Sequence, residues 1–215
     1  MLNLYGFSVS NYYNMVKFGL LEKGLKFDEV SAMPSQESDY KSKSPMGKVP
    51  CIETDRGFMS ETNVMLEYLE GVQPQPALMP ADPYAAAKVR EVMKVLELYI
   101  ELPARRHYNE LFFKGERNPA AFTEAKPIME NGVKALRQLC TFKPYLCGAF
   151  SAADIMAAHT FIYAAPVAQA IYGWDIVADV PGLKAAIDAT NKRPAGAKVL
   201  ADQQAALKAF QAQNA

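Results

Sequence analysis

Ser44–Val72 reads SPMGKVPCIETDRGFMSETNVMLEYLEGV, and its local period changes three times. Ser44, Pro45 and Gly47 break regular structure. Val49–Thr54 then supplies a strand. Asp55, Arg56 and Gly57 turn it back into Phe58 and Met59, because a three-residue hairpin loop favours glycine at its left-handed position. Met65, Leu69 and Val72 follow at helical spacing. A loop, a β-hairpin and a helix in that order need more sheet on the N-terminal side to bury the hairpin.

That sheet is present upstream. Leu2 and Leu4 alternate with Asn3 and Tyr5 as in a short strand. Ser10 or Asn11 caps a helix reaching about Lys23, with Tyr13, Val16 and Leu20 on one face and Gly24 at the left-handed C-terminal position. Phe27–Val30 is a second short strand, and residues 33–47 are polar and breaker-rich, a loop with one helical turn. The order is β-α-β, an irregular stretch, a β-hairpin and a helix.

Downstream, Gln73–Pro83 carries Pro74, Pro76, Pro80 and Pro83, which removes amide donors and reads as a boundary. The reading is a first domain over 1–75, a linker over 76–83 and a second domain over 84–215. Beyond Tyr84 the pattern is helical. Val89, Val92, Leu96, Tyr99 and Ile100 share one stripe; Met129, Val133, Leu136 and Cys140 share another. Ser151 with Asp154 three residues on makes a capping box opening a helix through Ile155 and Ile162. Pro103 and Pro127 are expected to kink or end their helices, and the Ala- and Gln-rich end, 201–215, reads as a frayed helix. The fold class is α/β plus all-α.

The chain has 23 basic and 23 acidic residues among 215, so no general field draws it to nucleic acid or an anionic membrane. No apolar run approaching about 18 residues stands out, and no basic leader opens the sequence, so a cytoplasmic protein is expected. Cys51, Cys140 and Cys147 form no C-x-x-C pair; reduced thiols are expected. With only His107 and His159 beside them, no metal-ligand spacing is present and no metal is expected.

Four stretches carry a resemblance: LYGFSVSNYYNMVKFGLLEKG at Leu4–Gly24, SPMGKVP at Ser44–Pro50, MSETNVMLEYL at Met59–Leu69, and GAFSAADI at Gly148–Ile155. Together with the proline-rich linker they resemble the cytosolic glutathione transferase family, in a bacterial type with Ser at the active-site position. The resemblance implies a thioredoxin-like domain that binds glutathione, followed by a helical bundle. Ser10 occupies the catalytic position, although Asn11 stands where Pro often follows; the other reading of Ser10 is an ordinary helix cap. SPMGKVP is similar to the family's N-P-x-G-x-V-P, with Ser44 in place of Asn. This implies a cis Val49–Pro50 bond beside the bound peptide, whereas an isolated X-Pro bond is trans in all but about 5–6 % of cases.

By the same resemblance Val49 offers its main chain to glutathione as an added strand would, and Lys48 faces the glycyl carboxylate, with Gln36 a lesser candidate. Glu61 and Thr62 match the acidic-hydroxyl pair at a helix start. There unpaired amides and a partial positive charge suit the γ-glutamyl carboxylate, and Glu61 suits the ammonium. Taken alone, the pair would read as a helix start and its dipole partner. GAFSAADI is a structural cap.

The implied chemistry is attack of the glutathione thiolate on a hydrophobic electrophile, with Ser10 and its helix favouring the thiolate over a thiol of pKa near 8.5. Tyr12, His107, Tyr108, Leu111 and Phe112 are candidate walls for the electrophile, and His107 shows no partner that would mark it as a base. The alternatives are a non-catalytic glutathione-binding or regulatory relative, or a glutathione-dependent peroxidase or disulfide reductase. The last would ordinarily need Cys at position 10. A homodimer is expected from the resemblance.

Overall fold

The computed structural model describes residues 2–213. The chain divides into two compact units: one comprises the chain up to Leu78 together with the stretch from Asn191 onward, and the other is Met79–Thr190.

In the first unit, β1 (Leu2–Gly6), α1 (Asn11–Glu22), β2 (Phe27–Ser31), a single-turn α2 (Ser38–Lys41), β3 (Cys51–Thr54), β4 (Gly57–Ser60) and α3 (Thr62–Val72) follow the order read from the sequence. The sheet order is β2-β1-β3-β4, with β1 and β2 parallel and the other pairs antiparallel. The parallel pair needs a crossover, and α1 supplies it. Leu4 and Ile52 from the sheet pack with Tyr13, Val16 and Leu20 of α1 and Met65 and Leu69 of α3, all buried. Gly24 takes φ 63 where α1 ends, the left-handed conformation that favours glycine there.

Part of the proline-rich stretch is bound to this unit and is not a solvated linker. The buried Lys23 ammonium donates to the carbonyls of Gln73 at 2.6 Å and Pro76 at 3.0 Å and pairs with Glu70 at 2.7 Å. Glu70 in turn accepts from the Leu78 amide at 2.9 Å. A charge this deep is tolerated only with such a set of acceptors.

The second unit is helical: α4 (Pro83–Val95), a π-helical stretch at Leu96–Glu101, α5 (Leu102–Arg105), α6 (Tyr108–Phe113), α7 (Pro119–Leu139), α8 (Ala152–Tyr172) and α9 (Leu183–Asn191). Pro103 sits just after the change of winding, whereas Pro127 lies inside α7 without ending it. Cys140, read as part of the α7 stripe, is the cap residue beyond that helix.

The capping box forms: Asp154 accepts from the Ser151 amide at 2.9 Å and from the Leu146 amide at 2.8 Å. The second bond ties the preceding loop to the start of α8. One correction concerns α8, which is long and apolar enough by composition to cross a membrane, although no such run stood out in the sequence. Its apolar residues Ile155, Met156, Phe161 and Val167 are buried within the unit, as are Asp154, His159 and Thr160.

A second difference concerns the last helix, α10 (Pro194–Gln213), which the 84–215 reading assigned to the second domain. It groups with the first unit. Arg193 Nε reaches Glu22 at 3.2 Å, and Lys17 on α1 pairs with Asp202 at 2.8 Å. These long-range ion pairs leave no local sequence signature. Residues 201–213 are helical; Asn214 and Ala215 lie outside the described residues.

Candidate functional site

The sheet register determines where the sequence candidates meet. Cys51 pairs with Tyr5 on one side and Ser60 on the other, so the end of β1, the start of β3 and the end of β4 share one end of the sheet. Immediately beyond that end come the loop leading to Ser10, the Val49–Pro50 bond and the Glu61–Thr62 pair. Three stretches far apart in sequence are thereby brought to one place.

Ser10 caps α1: its Oγ accepts from the Tyr13 amide at 3.3 Å. The capping role is therefore realised, and it leaves the hydroxyl hydrogen available to donate. The loop before it is held by Asn14, whose fully buried amide nitrogen donates to the Ser8 carbonyl at 2.8 Å. Asn11, the departure from Pro, is buried as the first residue of α1.

The Val49–Pro50 bond is cis. Its loop is braced by Ser44, buried in the position where the resembling motif has Asn, whose hydroxyl donates to the Lys48 carbonyl at 2.8 Å. Tyr40 donates to the same carbonyl at 3.3 Å. Gly47 has φ 64, and a Cβ there would lie 2.2 Å from the Ser35 carbonyl oxygen, so only glycine fits. The Ser35 amide donates to the Gly47 carbonyl at 3.0 Å and Gln36 Nε2 to the Met46 carbonyl at 3.3 Å. Gln36 thus braces the loop. Val49 is half-buried, and among the described residues no hydrogen bond engages its peptide group. Lys48 is exposed.

Glu61 adopts φ 70 and ψ 116, outside the favoured regions for a residue with a Cβ, and its side chain makes no cap bond to α3. Such a conformation costs on the order of 1–3 kcal/mol and accumulates at ligand sites. The consequence is an exposed carboxylate at position 61, a buried Thr62 as the first residue of α3, and a helix start that its own N-cap side chain leaves without a cap bond. The α1, α4 and α7 starts each receive a side-chain oxygen, from Ser10, Asp82 and Asn118.

The candidate walls fall in different units. Tyr12 is half-buried on α1. Tyr108 and Phe112 on α6 cluster with Tyr163 of α8, ring centroids 5.2 to 5.7 Å apart, and Leu111 is half-buried beside them in sequence. His107 Nε2 lies 2.7 Å from the Tyr172 hydroxyl, and burial lowers its pKa. That pairing is part of the interior of the second unit. Ser44, Asn14, Gly47 and Tyr40 were missed as site supports; of these Ser44 and Gly47 carried a signal, as positions of the loop motif.

The family model for the glutathione S-transferase N-terminal domain matches residues 4–77, and that for the C-terminal domain matches residues 119–189. A glutathione S-transferase from Pseudomonas putida is 44% identical over 211 residues, covering 98% of this chain and 96% of that protein.

The chain belongs to the glutathione S-transferase family.

It is accordingly an enzyme of the transferase class. Solved glutathione S-transferases share its fold. A bacterial maleyl pyruvate isomerase of the zeta class superposes with a TM-score of 0.73 at 21% identity, covering 92% of this chain and 95% of that one. A Methylobacterium radiotolerans glutathione S-transferase in complex with glutathione sulfonate does so with a TM-score of 0.76 at 22% identity, covering 92% and 93%.

Proposed function

We propose that this glutathione S-transferase binds glutathione at the shared end of the sheet and promotes attack of its thiolate on a hydrophobic electrophile. The observation that carries the reading is the Tyr5–Cys51–Ser60 register, which sets Ser10, Val49–Pro50 and Glu61–Thr62 around one end of the sheet. In this reading the Val49 peptide group pairs with the tripeptide backbone. The start of α3, with Thr62, receives the γ-glutamyl carboxylate, Glu61 faces the ammonium, and Lys48 faces the glycyl carboxylate.

Ser10 donates its hydroxyl hydrogen to the sulfur. A hydrogen bond to the charged form favours it, and each unit of lowered thiol pKa corresponds to about 1.4 kcal/mol of preference for the thiolate. The protein contributes binding and orientation; no protein nucleophile is needed. The cytoplasmic setting and the homodimer belong to the same reading.

The test is Ser10→Ala. Its glutathione affinity should stay near that of the parent, while the pKa of the bound thiol, followed by thiolate absorbance against pH, should rise and turnover should fall. Ser10→Thr and Ser10→Asp retain the cap and control for disturbance of α1. An unshifted thiol pKa with normal turnover would remove Ser10 from the mechanism. A panel of aryl halides, hydroperoxides and mixed disulfides separates conjugation from peroxidase and reductase activity, and an inactive protein retained on immobilised glutathione would be the non-catalytic relative.

A further inference from the structure

Lys17 lies on α1 less than two turns after Ser10, and it is buried, only 3% exposed. An ammonium out of water costs several kcal/mol unless paired and hydrogen-bonded. It donates to Glu29 Oε2 on β2 at 2.7 Å and to Asp202 Oδ2 on α10 at 2.8 Å. The same Glu29 oxygen accepts the hydroxyl of Tyr13, the residue whose amide caps onto Ser10 Oγ at 3.3 Å. A continuous chain of contacts therefore runs from Asp202 through Lys17, Glu29 and Tyr13 to Ser10.

We propose that Asp202, on the last helix, is a positioning residue for Ser10: with Glu29 it fixes the buried Lys17 and so holds the first turn of α1 in the orientation that presents the Ser10 hydroxyl. This rests on the assignment of Ser10 above. Neither carboxylate belongs to α1, so α1 is held from two other elements. Without Asp202, the Lys17 ammonium would have Glu29 alone and would draw that carboxylate away from Tyr13. Asp202 also receives Lys198 at 2.6 Å on its own helix, so the group consists of Lys17, Lys198, Glu29 and Asp202 with the Tyr13 phenol, two charges of each sign. Arg193 with Glu22 joins α10 to the far end of α1 independently, so loss of Asp202 leaves the helix attached.

The experiment compares Asp202→Asn, Glu29→Gln and Ser10→Ala with the parent, using three readouts: pKa of the bound glutathione thiol, kcat against KM, and melting temperature. In Asp202→Asn the thiol pKa should rise and kcat fall at least about threefold, within the roughly hundredfold that a 1 Å misplacement costs, with KM for glutathione within about twofold of the parent. Glu29→Gln should act in the same direction, and Asp202→Glu should restore kcat in part. A lowered melting temperature in Asp202→Asn with unchanged thiol pKa and kcat overturns the proposal and leaves the cluster as a structural contact. If Ser10→Ala also leaves the thiol pKa unmoved, both assignments fall; if it moves and Asp202→Asn does not, only the positioning role falls.

Discussion

Glu61 concentrates the tension between stability and function in one residue. Its φ of 70 is paid for by the rest of the fold, and its side chain is exposed, so little packing depends on it. Glu61→Gly should therefore raise thermal stability, by about 1 kcal/mol once the extra freedom of glycine in the unfolded chain is subtracted. The same variant should bind glutathione more weakly in calorimetry. Thr62→Ala should also weaken binding, by about 1.5–3 kcal/mol for a hydrogen bond to a charged group. If affinity is unchanged in both, the pair does no more than start a helix. The cysteines behave differently. All three are free, and burial pushes Cys140 up to about 12 and Cys147 up to about 11 and raises Cys51. Since the thiolate is the reactive form, iodoacetamide at neutral pH should label the folded protein far more slowly than the unfolded chain. A triple Cys→Ser variant should keep the specific activity of its folded fraction.

At the scale of elements, α8 depends on its first turn. Asp154 satisfies the amides of Leu146 and Ser151, both ahead of the helix start, and accepts a third bond from the Ser151 hydroxyl at 3.1 Å. Replacing it with Ala removes a cap and strands the Leu146 amide. The expected loss is about 2–4 kcal/mol in denaturant unfolding, larger than an exposed cap alone would give. Burial pushes Asp154 up to about 6 against the pull of those hydrogen bonds. A carboxyl raised in the folded state favours folding most below its unfolded pKa, near 4, and that contribution is lost as pH rises through about 6. Asp154→Ala should flatten the stability curve between those values.

β2 and α10 should respond to acid with the opposite sign to the start of α8. Burial pushes Glu29 up, but hydrogen bonds from Lys17 and Tyr13 outweigh it and leave its pKa lowered; Asp202 follows the same balance through Lys17 and Lys198. Hydrogen bonds from Asn3 and Tyr5 lower Glu53 as well. Carboxyls lowered in the folded state contribute stability that is present above their unfolded pKa values, near 4, and lost as pH falls through the folded ones. The first unit carries these groups, whereas Asp154 gives the start of α8 the reverse dependence. Hydrogen exchange, corrected for intrinsic rates, should show β2 and α10 losing protection as pH drops below about 4 while the start of α8 keeps its own. Equal loss in both would contradict this division.

Much of this protein was legible locally. The strand alternation at Leu2–Tyr5, the existence of a hairpin after Thr54, the stripes in the helical half and the capping box at Ser151–Asp154 each occupy a short window, where the backbone answers mainly to its own neighbours. The hairpin loop is two residues, Asp55 and Arg56, not three, because Gly57 already pairs with Thr54. The four motif stretches named the family and supplied the cis Val49–Pro50 bond, which composition alone would have read as trans. Nothing local announced that Cys51 would pair with Tyr5, that Glu61 would be held at positive φ, or that Lys17 would be buried with a carboxylate on the last helix. An isolated Lys, Glu or Asp in a helix pattern reads as solvated surface, because its energy depends on which distant group removes it from water and neutralises it. The sequence by itself determined the elements and the chemistry available to them; only tertiary structure decided their register, the membership of α10 and the buried charge pairing. Those depend on contacts between segments whose separation along the chain carries no local signal.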